Sequence, residues 1–206
     1  RSTLFPYTTL FRSRTGKNSN ARDRAGYRCA GRNVDDDRCN TKSRMVVYSI
    51  MHEYPAYGMY TVSYSEVNRN QGIINIANSV DTPFYTEARF TLAPDKQYKS
   101  PEPLAGPFFM HYAGTSFSYS IAATDLNDYT LFYQLTTPKR APGQDVLDYK
   151  LPEGAALNPF NGLITWGDLY NGLQAVGEFG FAAIIYQVQD NTIDRKSTRL
   201  NSSHRT

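Results

Sequence analysis

Few residues of this chain could do acid–base or nucleophilic chemistry, and their spacing keeps them apart. His52 and Glu53 are neighbours, so on a strand their side chains would point to opposite faces. Ser116, Ser118 and Ser120 alternate, which is typical of the solvent-exposed face of a strand. The sequence has no H-E-x-x-H, G-x-S-x-G or G-x-x-x-x-G-K-[ST] pattern. Catalysis needs groups that converge on one point, so we do not expect an enzyme.

The densest polar cluster is formed by Glu66, Asn68, Arg69 and Asn70. A loop of this kind can bind a ligand or a partner. It can also be a structural turn, in which asparagine side chains hydrogen-bond the turn backbone and Arg69 pairs with Glu66. We favour the structural turn and keep the partner loop as the alternative.

Aromatic side chains could provide a platform for a sugar or a partner protein. Tyr54, Tyr57, Tyr60 and Tyr64 follow one another at short spacing, and Trp166 is the single tryptophan. It ends the run NPFNGLITW, in which the proline and the Asn-Gly pair predict a turn before a strand. We expect Trp166 to be a core residue, whereas the tyrosines fit either a core or an exposed array.

Composition indicates β-structure. With 16 Tyr and 11 Phe among 206 residues, and with glycine and proline scattered along it, the chain favours strands over a helical bundle. Its two cysteines, Cys29 and Cys39, are too few for a disulfide-rich scaffold. No apolar run approaches the roughly 20 residues of a membrane-spanning helix, so we expect no membrane insertion.

Both chain ends resemble translated sequencing adapters. Residues 3–13 read TLFPYTTLFRS and residues 194–204 read DRKSTRLNSSH, as in-frame translations of the two ends of a common short-read adapter do. We therefore expect residues 1–13 and 194–206 to be disordered and to lie outside the fold. These ends carry +5 of charge, so the formal net charge of +3 becomes −2 over residues 14–193. A nucleic-acid partner thereby loses its main support.

Residues 14–44 form a basic segment for which we expect little order. They contain nine Lys/Arg and four Asp but no Leu, Ile, Met, Phe or Trp. Such a stretch cannot bury enough apolar surface to offset its ordering entropy. A basic arm and an out-of-frame translation both fit this composition. The remaining residues, 45–193, carry 7 basic and 14 acidic side chains, a net charge of −7.

From residue 45 onwards the chain alternates short strand-like runs with turns. These runs cover residues 45–51, 58–64, 73–77, 83–92, 117–123, 130–136, 163–166 and 178–189. The clearest, PFYTEARFTL, has an apolar face of Phe84, Thr86, Ala88, Phe90 and Leu92 and a wet face of Tyr85, Glu87, Arg89 and Thr91.

A proline-rich link, SPEPLAGP at 100–107, predicts a domain boundary, because three prolines in eight residues suit neither a helix nor a central strand. We therefore expect an all-β chain of tandem antiparallel β-sandwich modules. The first, over 45–99, would be partial. The second, over 100–193, would be Ig-like or cadherin-like.

Three segments together resemble a known group of surface proteins. They are YSIMHEYPAYGMYTVSYSEVNRNQGIINIANSVDTPFYTEARF, ATDLNDYTLFYQL, and ALNPFNGLITW followed by GEFGFAAIIYQV. Their order is similar to that in large secreted proteins of Bacteroidota that carry a gliding-motility-associated C-terminal domain, where a Pro-rich link precedes a cadherin-like or Ig-like module. The resemblance covers about residues 46–190, and its specific part runs from Asn68-Arg69-Asn70 to Pro83-Phe84-Tyr85.

This resemblance implies a non-catalytic structural or adhesive module of a large secreted protein, displayed extracellularly or on the cell surface and linked to gliding motility. The implied partners are neighbouring β-modules of the same chain and surface glycans or proteins. A carbohydrate-binding accessory module of a secreted hydrolase is the alternative. A buried Trp166 would favour the first function, and an exposed array of Trp166 and tyrosines the second.

The resemblance also implies a calcium site at a module junction. Against the family pattern A-x-D-x-D-G-D this chain has Asp125, Asn127 and Asp128, with Tyr129 where a further carboxylate would stand. Oxygen donors so close in sequence can converge on one Ca2+, but the ion takes about six to eight ligands. We expect no other cofactor, and at best millimolar calcium affinity at Asp125, Asn127 and Asp128. The alternative is a solvated turn.

Overall fold

The computed structural model describes residues 10–13, 43–46, 52–94, 99–106, 109–110, 115–127, 129–167, 169–170, 173–174, 177–189 and 192–205. The regular secondary structure of these residues is almost entirely β-strand, which confirms the all-β expectation. A 3-10 turn at Ser79–Asp81 is the one helical element among them. Within these ranges there is accordingly no helix with the length and apolar character needed to cross a membrane.

The described residues form seventeen strands, which in chain order are β1 (Leu10–Ser13), β2 (Ser43–Val46), β3 (Gly58–Glu66), β4 (Phe84–Leu92), β5 (Glu102–Pro103), β6 (Phe109–Met110), β7 (Phe117–Ser120), β8 (Ala123–Thr124), β9 (Thr130–Thr136), β10 (Lys139–Ala141), β11 (Gln144–Asp145), β12 (Ala156–Leu157), β13 (Leu163–Trp166), β14 (Leu169–Tyr170), β15 (Leu173–Gln174), β16 (Glu178–Gln189) and β17 (Thr192–Arg205).

From residue 3 onwards the chain divides into two compact units, Thr3–His52 and Glu53–Thr206. In the first unit β1 and β2 pair antiparallel. β1 thus supplies backbone hydrogen-bond partners to β2. The expectations for residues 1–9 and 14–42 fall outside the described residues and stay predictions.

The second unit is built around an eight-stranded sheet. β3 pairs antiparallel with β4 over its full length of nine residues. The other edge of β4 is shared by β10, at Tyr85, and by β17, from Ala88 to Phe90. β17 pairs with β16, and β16 with β9, so the central strand order is β3-β4-β17-β16-β9. β11 extends β10, and β6 pairs parallel with β17.

A smaller sheet of order β12-β13-β7 packs against β9 and β16 and closes a sandwich core. Because successive strand residues point to opposite faces, the odd-numbered residues of β16 from Phe179 to Ile185 enter this core. The buried core residues are Ile121, Tyr133, Ile164, Trp166, Phe179, Phe181, Ala183 and Ile185. Each large apolar side chain buried here stabilises the fold by roughly 1.5–3 kcal/mol.

The turn between β12 and β13 is fixed by local hydrogen bonds and by one glycine. Asn158 Oδ1 accepts a hydrogen bond from the backbone N–H of Phe160 at 2.9 Å. Gly162 has φ 68°, which confirms the positive φ expected in this turn, and a Cβ there would lie 3.1 Å from Tyr133 Cε1. The Pro159 carbonyl accepts from the Tyr133 N–H at 2.9 Å, so the turn also covers the outer edge of β9.

Residues 73–77 were expected to form a strand, but they form an irregular segment that uses a side chain where a strand would use its backbone. Asn75 is 1% exposed, and its Oδ1 and Nδ2 bond the Gly180 N–H and C=O, each at 2.8 Å. Asn75 Nδ2 also donates to the Lys150 carbonyl at 3.0 Å. A Cβ on Gly180 would lie 3.0 Å from Ile76 Cδ1, so glycine permits this close approach. The segment thereby covers β16 where β9 ends.

Strands from both sides of the proline-rich link lie in one sheet. β4 precedes the link, whereas β9, β10 and β16 follow it, and all four belong to the compact unit Glu53–Thr206. β10 and β17 supply the second pairing partner that β4 needs. The expected division into modules over 45–99 and 100–193 stays a prediction.

The backbone of Thr192–Arg205 forms β17. β17 pairs with β16 at eleven positions and with β4 at three. Both neighbours present rows of backbone N–H and C=O groups, and a strand between them satisfies those rows whatever its side chains are.

The face of β4 that was expected to be solvent-exposed is partly buried. Tyr85 and Glu87 are 5% and 6% exposed. The Tyr85 hydroxyl donates to Glu87 Oε2 at 2.9 Å, and Arg89 Nη2 lies 2.9 Å from Glu87 Oε1. These contacts provide hydrogen-bond partners for the buried carboxylate. The alternation of side chains along β4 was predicted correctly, but the solvent exposure of Tyr85 and Glu87 was not. Burial raises the pKa of Tyr85.

Candidate functional site

The loop after β3 attaches to two strands that are distant in sequence. Asn70 Nδ2 donates to Glu178 Oε1 at 2.8 Å. Arg69 Nη2 donates to the Lys139 carbonyl at 2.7 Å. Each bond joins the loop to a strand distant in sequence, β16 in the first case and β10 in the second. The polar groups thus diverge towards different partners and do not surround a common point.

The other two members of the cluster bond close by. Asn68 Nδ2 donates to the Val80 carbonyl, and Glu66 Oε1 accepts from the Tyr64 hydroxyl. Within the described part of the chain, no ion pair joins Glu66 to Arg69, so the expected pairing is replaced by a tyrosine contact. Three of these four side chains bond main-chain carbonyls or the hydroxyl of a neighbouring strand residue, which supports the structural interpretation of the loop.

Arg69 is the most unusual member of this loop. Its side chain is buried, with the whole residue 8% exposed, and its guanidinium carbon lies 5.4 Å from the centroid of the Phe84 ring. Among the described residues, no group bonds Arg69 Nε or Nη1. Desolvation by burial lowers the Arg69 pKa to about 10, so the group remains charged at neutral pH. The ring face of Phe84 offsets part of the cost of burying this charge.

The turn at Asp125 is organised by a glutamine from β16. Asp125 Oδ1 accepts from the Asn127 N–H at 2.6 Å, and Asp125 Oδ2 accepts from Gln187 Nε2. The Lys99 carbonyl accepts from Gln187 Nε2 at 3.1 Å and from Asn127 Nδ2 at 3.3 Å. Asp128, the third residue of the expected site, lies outside the described residues. The oxygens of Asp125 and Lys99 are thus already bonded by amide groups.

Sequence reasoning missed Gln187 and the Lys99 carbonyl, because both lie far from Asp125 along the chain. One signal was present. Gln187 falls in the odd-numbered register of β16, directly after Phe179, Phe181, Ala183 and Ile185, and it is 1% exposed. A polar residue at the end of a run of core positions indicates a buried hydrogen-bonding partner.

The calcium site implied by the resemblance stays a prediction, because Asp128 lies outside the described residues. In the portions of the chain that the structure describes, no group of three or more His, Cys, Asp or Glu could hold a metal. The Gln187 amide nitrogen stands among the oxygens where a cation would need to be, and it satisfies them without one. A calcium ion would require the amides of Gln187 and Asn127 to turn and present their oxygens.

We predict that calcium changes the melting temperature of the full chain little, since the Asp125 oxygens already have donors. The measurement is thermal melting in chelator and in about 10 mM calcium, which is roughly tenfold above the dissociation constant of about 1 mM expected for a weak extracellular site. A site filled at tenfold excess over its dissociation constant would add about 1.4 kcal/mol. Such a shift in the parent, absent from Asp125→Asn, would contradict this expectation and establish the calcium site implied by the resemblance.

Trp166 is a core residue and does not form a platform. It is 2% exposed, and its ring packs edge-on against Phe179 and Phe181 with centroid distances of 5.0 and 5.8 Å. Its Nε1 donates to the Glu153 carbonyl at 3.1 Å. The expectation of a core aromatic at the end of a strand is confirmed, and the ring is not available for stacking on a ligand.

The tyrosines of residues 54–64 pack mainly against the strands. The Tyr54 ring lies 4.5 Å from Tyr60 and 5.7 Å from Phe90, with interplanar angles of 54° and 83°. Tyr64 packs edge-on against Phe84 at 6.3 Å. Burial raises the pKa of Tyr54, with a smaller contribution from the nearby Tyr60. The rings are tilted against each other and do not form a flat array.

The residues weighed for catalysis are placed as the sequence predicted. Ser116, Ser118 and Ser120 are exposed, and Ser120 Oγ accepts from the Ala122 N–H at 3.2 Å, as in a local turn. His52 is exposed beside Glu53.

No family model, no curated protein and no solved structure matches this chain.

Proposed function

We propose that this chain is a non-catalytic structural and adhesive module of a large secreted protein, displayed extracellularly or on the cell surface and linked to gliding motility. The observation that carries the proposal is the burial of Trp166 in the sandwich core. It removes the one tryptophan from any binding surface. A rigid sandwich serves as a spacer that separates and presents neighbouring modules of the same chain, with surface glycans or proteins as further partners.

The polar loop Glu66 to Asn70 adds support, because its side chains hold strands together. The Asp125 turn does the same through Gln187. Groups used in this way are not free to bind or transform a substrate. The net charge of −7 over residues 45–193 is compatible with a soluble, displayed module.

The second candidate, a carbohydrate-binding accessory module, is favoured by two exposed aromatic side chains. Tyr57 is 65% exposed and Phe160 is 73% exposed. Phe160 lies on the Asn158–Gly162 turn with its ring edge-on to Phe132 at 5.5 Å. Exposed aromatic rings can stack on sugars.

A glycan array with the full chain separates the two functions. We expect no glycan binding that depends on the exposed rings of Tyr57 and Phe160. Binding that is lost in Tyr57→Ala or Phe160→Ala, but kept in a matched Leu104→Ala control at an exposed aliphatic position, would establish the accessory module instead. The flanking gene sequence is an independent test, since the proposal expects further β-modules and a C-terminal sorting domain there.

A further inference from the structure

β3 forms one end of the main sheet. Its nine residues pair with β4 on one side, and no strand in the described part of the chain pairs with its other side. β4, in contrast, is paired on both edges, because β10 and β17 occupy the edge opposite β3. A strand so placed presents a row of backbone N–H and C=O groups that can pair with another strand.

The remaining described edges of this sheet are short or covered. The outer edge of β9 receives the Pro159 carbonyl of the β12–β13 turn. The part of β16 beyond β9 is covered by Asn75. β11 has two residues. These are the devices by which folded proteins prevent sheets from joining edge to edge.

β3 has none of these devices. Its sequence, GMYTVSYSE, contains no proline, lysine or arginine, and Glu66 at its end is the single charge. Its register with β4 runs without a bulge. The outward face carries Met59, 77% exposed, followed by the exposed Thr61, Ser63 and Ser65. This composition is uncharged, rich in strand-forming residues and suited to pairing.

We propose that β3 pairs antiparallel with β3 of a second copy of this chain, so that two sheets join into one across a two-fold axis. This inference goes beyond the proposed function and does not depend on it. Full overlap of Gly58–Glu66 with itself places Val62 opposite Val62 of the partner. A two-fold axis perpendicular to the sheet keeps the side chains of both copies on the same face of the joined sheet. Residues that lie opposite each other must then be both even-numbered or both odd-numbered, and this register meets that condition.

The side-chain pairs in this register are compatible on both faces. Thr61 lies opposite Ser63 of the second copy, a hydroxyl pair that stabilises antiparallel strands. Tyr60 lies opposite Tyr64, so each copy contributes half-buried rings on the inner face. Glu66 lies opposite Gly58, and no like charges face each other. A contact of one strand pair is small, so we expect a transient dimer in the high micromolar range.

The test is a pair of charge variants, T61K/S63K and T61E/S63E. In either homodimer, residue 61 of one chain faces residue 63 of the other with the same charge, which is unfavourable. Mixing the two variants places Lys opposite Glu at both positions. Within each monomer, residue 61 lies opposite Arg89 and residue 63 opposite Glu87 on β4. Each variant therefore gains one favourable and one unfavourable contact, and its fold should be kept.

Sedimentation equilibrium with reductant present gives the readout, since Cys29 and Cys39 could otherwise cross-link chains. The average mass of the parent should rise from one chain towards two with concentration. Each variant alone should remain at one chain, and their equimolar mixture should recover the dimer. Q71K/T91K, at exposed positions off this edge, should behave as the parent. A parent that stays monomeric, or dimers that both charge variants leave unchanged, would overturn the proposal.

Discussion

Replacing Trp166 by alanine is expected to lower the free energy of unfolding by about 3–5 kcal/mol, the range for removing a large aromatic side chain from a core. The indole is 2% exposed and fills the space between β13 and the rings of Phe179 and Phe181. Its loss leaves a cavity and removes the hydrogen bond to the Glu153 carbonyl. Urea unfolding followed by circular dichroism measures the change without relying on tryptophan fluorescence.

Two further variants separate the packing contribution from other effects. Trp166→Phe keeps an aromatic ring but removes the Nε1 hydrogen bond, so it should cost less than the alanine variant. Phe160→Ala truncates a side chain that is 73% exposed and should change stability by less than about 1 kcal/mol. Equal losses in Phe160→Ala and Trp166→Ala would show that Trp166 is not a core residue and would reopen the sugar-platform function.

A chain that ends at residue 193 is expected to lose its cooperative fold. Removing residues 194–206 takes away most of β17, which pairs with β16 at eleven positions and with β4 at three. Backbone hydrogen bonds contribute about 0.5–1.5 kcal/mol each. The total loss is then on the order of 10 kcal/mol, comparable with the whole stability of a typical domain. Thermal melting and gel filtration of the shortened chain give the result.

A chain of full length, with residues 194–206 replaced by glycine and serine, controls for the change in length. It should be destabilised almost as much, because a flexible polar segment forms a strand poorly. The sequence of this end indicated a segment outside the fold, and that expectation makes the opposite prediction. If both variants melt at the same temperature as the parent, residues 194–206 lie outside the fold, and the described pairing of β17 contributes nothing to stability.

Several of the longer strands could be predicted from the sequence, because their signals are local. The runs at 130–136, 163–166 and 178–189 match β9, β13 and β16 residue for residue. Alternation of side chains and the choice of β-branched and aromatic residues suffice for this. Segment 73–77 was the exception. Gly72, with φ 85°, bends the chain before it, and the Asn75 side chain then replaces backbone pairing.

The sheet order could not be predicted, because it depends on pairs that are distant in sequence. β4 lies beside β10 and β17, and nothing in PFYTEARFTL specifies either neighbour. The same limit applied to the candidate sites. Asn70 was identified from its neighbours, but its contact with Glu178 lies 108 positions away. Asp125 was chosen as a metal ligand, whereas its partner Gln187 is 62 positions distant.

The bonds between Asn75 and Gly180 also have a consequence for the time course of folding. They connect residues 105 positions apart, and the entropic cost of closing a loop grows with its length. Distant pairs of this kind slow folding. The Gly180 edge exists only after β16 has found its place, so segment 73–77 should attach late. Until it does, that stretch of β16 is open to other chains, and refolding at high concentration should be most prone to aggregation during this interval.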